Sequence, residues 1–290
     1  LSAAYINLIF IGLAGKLERW ALQGQARLQR GDERARVDLT GSGGRDGMRV
    51  DALRATMPQG RLDALGNVAW SPAMTWEADA TLAGFDPGYF APDWPGALDG
   101  KFASSGEMRD GKGLLAHVDV SQLGGQLRKR ALSGHATVDI DGDAYRGDVA
   151  LALGNSRIDA IGSIAATLQV DANLAPLHLD DLLPDGKGVL RGTLQLRGAR
   201  NAPDIDVDLD GNGIAFGDYR AEHLSAKGRL PWNKGNGALA IDARGVAAGI
   251  PLTGLQANLR GAVERLQFDA NADSDIGTLA LALVLVLGTQ

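Results

Sequence analysis

Residues 182–211 read LLPDGKGVLRGTLQLRGARNAPDIDVDLDG. From Asp204 to Asp210 every second residue is aspartate, and Ile205, Val207 and Leu209 stand between them. Successive side chains of an extended strand point to opposite faces, so this order gives one dry face and one wet face. Leu194 and Leu196, just upstream, keep the same period of two, with glycines punctuating the run. An amphipathic helix would need apolar residues three and four apart, and the stretch does not supply them.

The alternation recurs through the chain. Val118 and Val120 flank Asp119, and Val138 and Ile140 alternate with Asp139 and Asp141. Val149, Leu151 and Leu153 follow, then Leu168, Val170, Ala172 and Leu174 against Asp171 and Asn173. Leu239, Ile241 and Ala243, and later Leu255, Ala257 and Leu259, repeat it again. Such segments, separated by Gly, Asn and Asp, predict an all-β fold, an antiparallel sheet with one solvated side. Composition agrees: 290 residues, 45% hydrophobic, with 40 glycines against 10 prolines, describe many short segments joined by turns.

A longer repeat lies over the short one. Gly125-Gln126-Leu127-Arg128 is matched by Gly217-Asp218-Tyr219-Arg220, and Leu132-Ser133 by Leu224-Ser225. Leu98 to Phe102 is matched by Leu190 to Leu194, and Arg61 to Gly66 by Arg157 to Gly162. The matches predict one continuous repetitive β-groove over 1–290, with modules near 59–152 and 153–246 and partial modules at 1–58 and 247–290. Asp86 to Gly96 (DPGYFAPDWPG) and Leu177 to Gly186 (LHLDDLLPDG) interrupt the strands once per module. Each fits a single helical turn that proline then stops, serving as a cap on the sheet or as a flap.

Several function classes are disfavoured. A formal net charge of -6 gives no basic face for nucleic acid, and Arg128-Lys129-Arg130, the dense basic run, reads as a solvated strand edge. There is no cysteine, hence no thiolate site. His117, His135, His178 and His223 stand singly, without a partner at metal-ligand spacing, and no nucleophile motif accompanies them. Asp206, Asp208, Asp210 and Gly211 resemble the start of a calcium loop, but the closing position would be Gly217 instead of glutamate. No enzyme, cofactor or metal site is expected. Trp20, Trp70, Trp76, Trp94 and Trp232 are spread over the modules and read as single packing anchors. Tyr5 to Gly15 and Ile276 to Gly288 are apolar but too short for a membrane helix, and are expected to be buried strands of a chain that is a middle piece of something longer.

The pattern L-x-x-L-L-P-x-G-x-G-x-L-x-G-x-L-x-L-x-G-x-x-x-x-P, carried with small departures by Leu179 to Pro203, resembles the TamB family and its AsmA-like relatives, a bridge-type lipid transfer superfamily. DPGYFAPDWPGALDGKF, from Asp86 to Phe102, resembles the same family. The resemblance implies a long curled β-sheet open along one side, in the periplasm, anchored to the bacterial inner membrane by an N-terminal segment. It also implies phospholipid as cargo, the outer-membrane barrel TamA as a partner through a region outside these residues, and a part in outer-membrane protein assembly and secretion.

The residues bear on whether such a groove is open or filled by its own side chains. Its inward candidates are often small, as at Ala26, Ala35, Ala136, Ala172, Ala243, Ala257 and Ala270, which favours an open groove over a sandwich packed at native density. The candidate lining is Val138 and Ile140; Val149, Leu151 and Leu153; Leu168, Val170 and Leu174; Leu194 and Leu196; Ile205, Val207 and Leu209; Leu239 and Ile241; Leu255 and Leu259. The alternative is a periplasmic or extracellular β-solenoid scaffold or adhesin with a self-filled core.

Overall fold

The computed structural model describes residues 5–30, 33–183, 185–232, 235–247 and 251–286. Leu1, Pro184, Gly288 and Gln290, on which some of the expectations above fall, lie outside them. The chain divides into two compact units, Leu1–Leu153 and Gly154–Gln290.

In the first unit ten strands follow one another: β1 (Tyr5–Lys16), β2 (Arg19–Arg30), β3 (Glu33–Gly43), β4 (Gly47–Thr56), β5 (Arg61–Ala69), β6 (Met74–Phe85), β7 (Gly96–Arg109), β8 (Gly113–Leu127), β9 (Arg130–Asp141) and β10 (Ala144–Leu153). Each pairs antiparallel with the next, as in β1 with β2 and β9 with β10. The second unit contains β11 (Ser156–Ile164), β12 (Thr167–His178), the short helix α1 (Leu179–Leu182), β13 (Lys187–Ala199), β14 (Ala202–Phe216), β15 (Tyr219–Leu230), β16 (Gly237–Ala247), β17 (Pro251–Ala262), β18 (Arg265–Ser274) and β19 (Gly277–Val286). These strands too pair antiparallel in chain order, from β11 with β12 to β18 with β19. The expected all-β antiparallel class holds, because a period of two over 9 to 15 residues suits a pleated strand and two-residue turns suit neighbours in sequence.

Two helical turns interrupt the strands where the proline-bounded segments predict them. Pro87–Tyr89 forms a single 3₁₀ turn between β6 and β7, capped by Asp86, whose Oδ1 accepts from the backbone N–H groups of Gly88 and Gly96, both at 2.8 Å. Tyr89 is buried with Ala35 and Met57, and Leu28 and Phe85 pack against the cluster. In the second unit α1 is held by Asp181, only 2% exposed. Its carboxylate accepts from Ser156 Oγ at 2.6 Å and from the Asn155 N–H at 3.1 Å, while Ser156 Oγ accepts from the His178 N–H at 2.9 Å. Both turns are caps fastened by buried contacts.

Two expectations need correction. The two apolar segments supply β1 and β19, but not as buried strands: Ile11 and Leu13 are 66% and 67% exposed, and all of β19 is exposed. A strand apolar on both sides can place only one side against the sheet's own apolar face. Arg128 and Lys129 are not a strand edge. They are the β8–β9 turn, with φ of 51° and 65°, and the Arg128 guanidinium lies 5.4 Å from the Trp94 ring centroid. Asp206, Asp208 and Asp210 lie in extended β14, as their alternation with Ile205, Val207 and Leu209 predicts.

Little of either unit is core. Among the described residues the buried apolar side chains are Ala35, Ala116, Ala243, Ala257, Ala262 and Ala270 with Met57, Leu82, Tyr89, Leu153, Leu230 and Leu266. Half of these are alanine. A sandwich of this length would bury many leucines and valines between its layers, and few are buried here.

Candidate functional site: an uncovered apolar face

Strand register shows what so small a core leaves open. In the second unit one row of directly opposed residues crosses all nine strands: Ala160, Ala172, Leu194, Val207, Gly228, Leu239, Leu259, Phe268 and Leu283. The flanking rows are alike: Leu196 lies between Val170 and Ile205, and Ile241 between Ala226 and Ala257. One residue along, the side chains face the other way and the row reads Asp159, Asn173, Thr193, Asp208, Lys227, Ala240, Asn258, Asp269 and Ala282.

That second face is wet and cross-paired. Lys227 Nζ meets Asp208 Oδ2 at 2.5 Å, Arg229 meets Asp204 at 3.1 Å, and Arg197 meets Asp171 at 2.5 Å. His223 lies 3.6 Å from Asp210, and in the first unit His117 lies 2.7 Å from Asp139, so these histidines belong to the same charged ladders. Opposite charges facing across strands stabilise a sheet modestly and keep the face soluble.

The first unit repeats the division. Ile11, Gly24, Leu39, Leu53, Ala64, Ala80, Phe102, Val120, Ala136 and Val149 form an unbroken row over ten strands. On the other face Gln25, Asp38, Arg54, Asp63, Thr81, Lys101 and Gln122 are directly opposed in turn. There Arg54 and Arg61 both reach Asp63, at 2.5 and 2.9 Å. The guanidinium of Arg54, hydrogen-bonded to the Asp63 carboxylate, holds its pKa below the ordinary value of 3.8, against the opposing pull of desolvation.

Two tryptophans stiffen the apolar face. Trp20 lies over Gly43 and Trp76 over Gly106, where an added Cβ would fall 2.4 and 2.3 Å from ring carbons. Their indole N–H groups donate to the Gly44 carbonyl and to Ser104 Oγ. These anchors occupy space that glycine alone vacates, the device by which aromatic rings support weak points of a sheet.

The seventeen residues expected to line the groove lie on these apolar faces: Val138, Ile140, Val149, Leu151 and Leu153 in the first unit, the others in the second. Leu153 is buried, at 5%, and the rest are half-buried: closed in by lateral neighbours and open above. What sequence reasoning missed is the same face on β3 to β7, at Leu39, Leu53, Leu62, Leu82 and Phe102. Its signal was present but broken by bulges, with register shifts at Val50/Leu53 and Leu82/Phe85. No helix among the described residues is long and apolar enough to cross a membrane.

Comparison with known proteins fits this arrangement. The family described as "TamB, N-terminal domain" matches residues 6–287. The chain belongs to the TamB family. Among its relatives is the translocation and assembly module subunit TamB of Haemophilus influenzae (strain ATCC 51907 / DSM 11121 / KW20 / Rd), 24% identical over 198 residues. That stretch is 68% of this chain but 15% of the relative, so the chain spans a small part of such a TamB protein. No solved structure matches.

Proposed function

We propose that this TamB-family chain is a segment of a periplasmic conduit that carries phospholipid along its apolar face. The observation that carries the proposal is the unbroken apolar row across every strand of each unit, largely half-buried and exposed at Ile11 of β1 and Leu283 of β19. Large uncovered apolar surface on a folded chain marks an interaction site. Its continuity matters energetically. Two acyl chains of about 15 methylenes each, at ~0.8 kcal/mol per CH₂, would cost on the order of 25 kcal/mol to bring into water. A lining without a gap keeps the tails covered at every step while the headgroup stays wet.

The name of the Haemophilus relative supports a setting in a translocation and assembly module. There the conduit would assist outer-membrane protein assembly and secretion, meeting the TamA barrel through a part of the longer protein outside these residues and held to the inner membrane by another such part. Native mass spectrometry and lipid extraction of the purified chain test the conduit. Phospholipid that copurifies in stoichiometric amount is the expected result, and a lipid-free chain would favour a protein-binding scaffold instead.

A further inference from the structure

Of the chain's four methionines Met48 is half-buried, and the other three divide by exposure. Met57 is buried in the Tyr89 cluster at 6%, whereas Met74 and Met108 are 51% and 47% exposed. The exposed two are directly opposed, at the start of β6 and the end of β7. Their register puts them on the apolar face beside Trp76, at its rim. At the strand ends they border an open recess of about 480 Å³ with Trp70, Ala73 and the charged Glu107, Arg109, Asp110 and Lys112.

We propose that Met74 and Met108 form a reversible oxidation site that turns their spot on the edge of the apolar face polar. A thioether is an adaptable apolar surface, and its sulfoxide is a polar, chiral group. With hypochlorous acid as oxidant, each sulfur gives two electrons to the chlorine. An S=O bond forms, the O–Cl bond breaks, and chloride and one proton leave. A dithiol reductant reverses the step, being oxidised to a disulfide while the oxygen departs as water. Because directly opposed strand positions have Cβ atoms only about 5 Å apart, two sulfoxides polarise one spot of the rim together. The consequence for cargo rests on the conduit proposed above; the chemistry rests on exposure and pairing alone.

The test titrates the purified 290-residue chain with hypochlorous acid, maps each methionine by peptide mass spectrometry, and measures phospholipid loading from phosphatidylethanolamine–phosphatidylglycerol vesicles. Met74 and Met108 should oxidise together, well before Met57. Loading should fall about tenfold, equivalent to ~1.4 kcal/mol. Methionine sulfoxide reductases A and B should restore it, and M74L/M108L should keep after the same dose whatever loading it has before it. Oxidation of Met57 in step with the pair, a pair that the reductases do not repair, or equal loss of loading in M74L/M108L overturns the proposal. If the untreated chain takes up no phospholipid, it is the conduit that fails. The oxidation site is then decided by the peptide map and by repair.

Discussion

Trp76 stands directly across from Gly106 on the neighbouring strand, and its indole fills the space a side chain there would need. A Cβ at Gly106 would lie 2.3 Å from two ring carbons and 2.8 Å from the Leu115 carbonyl oxygen, so both ring and backbone would have to give way. Gly106→Ala should therefore destabilise the first unit by about 1–3 kcal/mol, the usual cost of overpacking a filled site. Urea unfolding followed by tryptophan fluorescence checks this, and an unchanged midpoint would show that the ring moves aside freely.

The α1 cap depends on a buried donor. Ser156→Ala removes the hydroxyl that reaches the Asp181 carboxylate at 2.6 Å and the acceptor for the His178 N–H at 2.9 Å. Leaving buried polar groups short of a partner costs about 1–3 kcal/mol. In the variant the Leu183 amide, bonded to the Leu179 carbonyl at 2.7 Å, should exchange with solvent markedly faster, while amides of β17 and β18 keep their protection. Equal exchange in wild type and variant would mean that the cap is held by apolar packing alone.

Asp63 supplies a pH-dependent contribution from the wet face. Its pKa is depressed first by the hydrogen bond from Arg54 and then by the charges of Arg54 and Arg61. A carboxylate whose folded pKa lies below its unfolded one stabilises the fold above the unfolded pKa and loses that contribution as pH falls through the folded value. Arg54→Gln should bring the Asp63 midpoint up toward 3.8 in a carboxyl NMR titration. The stability difference between Arg54→Gln and wild type should be present at neutral pH and vanish at strongly acid pH. An Asp63 midpoint that does not move would count Arg61 as the controlling charge.

How far these features could be read in the sequence depended on whether the alternation stayed in step. In β14 the aspartates at 204, 206, 208 and 210 mark the wet side so regularly that Ile205, Val207 and Leu209 could be assigned to the dry side from sequence, and the register agrees. In β8 the apolar positions are Val118 and Val120, then Leu123, because a bulge inserts a residue and reverses the parity. A period of two is readable at Val118 and Val120 and lost beyond them, and the bulges at Val50/Leu53 and Leu82/Phe85 hide the lining of β4 to β7 in the same way. The exposure of β19 was hidden for another reason: leucine, alanine and valine on both sides of a strand do not reveal which side, if either, will be covered.

Val207 and its neighbour Asp208 offer the sharpest test of the apolar face, because the two sit side by side on β14 and face opposite ways. Val207 is half-buried between Leu194 and Gly228, while Asp208 reaches Lys227 at 2.5 Å on the wet face. Val207→Asp places a charge where acyl chains are proposed to pass, with no cation opposite it. Desolvating that carboxylate under a lipid tail should cost several kcal/mol. Each ~1.4 kcal/mol slows passage about tenfold, so transfer should fall by at least two orders of magnitude. Asp208→Asn breaks only an exposed ion pair of about 0–1 kcal/mol and should leave transfer nearly intact. A photo-crosslinking residue at 207 should capture phospholipid in cells, and one at 208 should not. Equal capture at both, or at neither, would remove the ground for assigning cargo to this face rather than to its charged reverse.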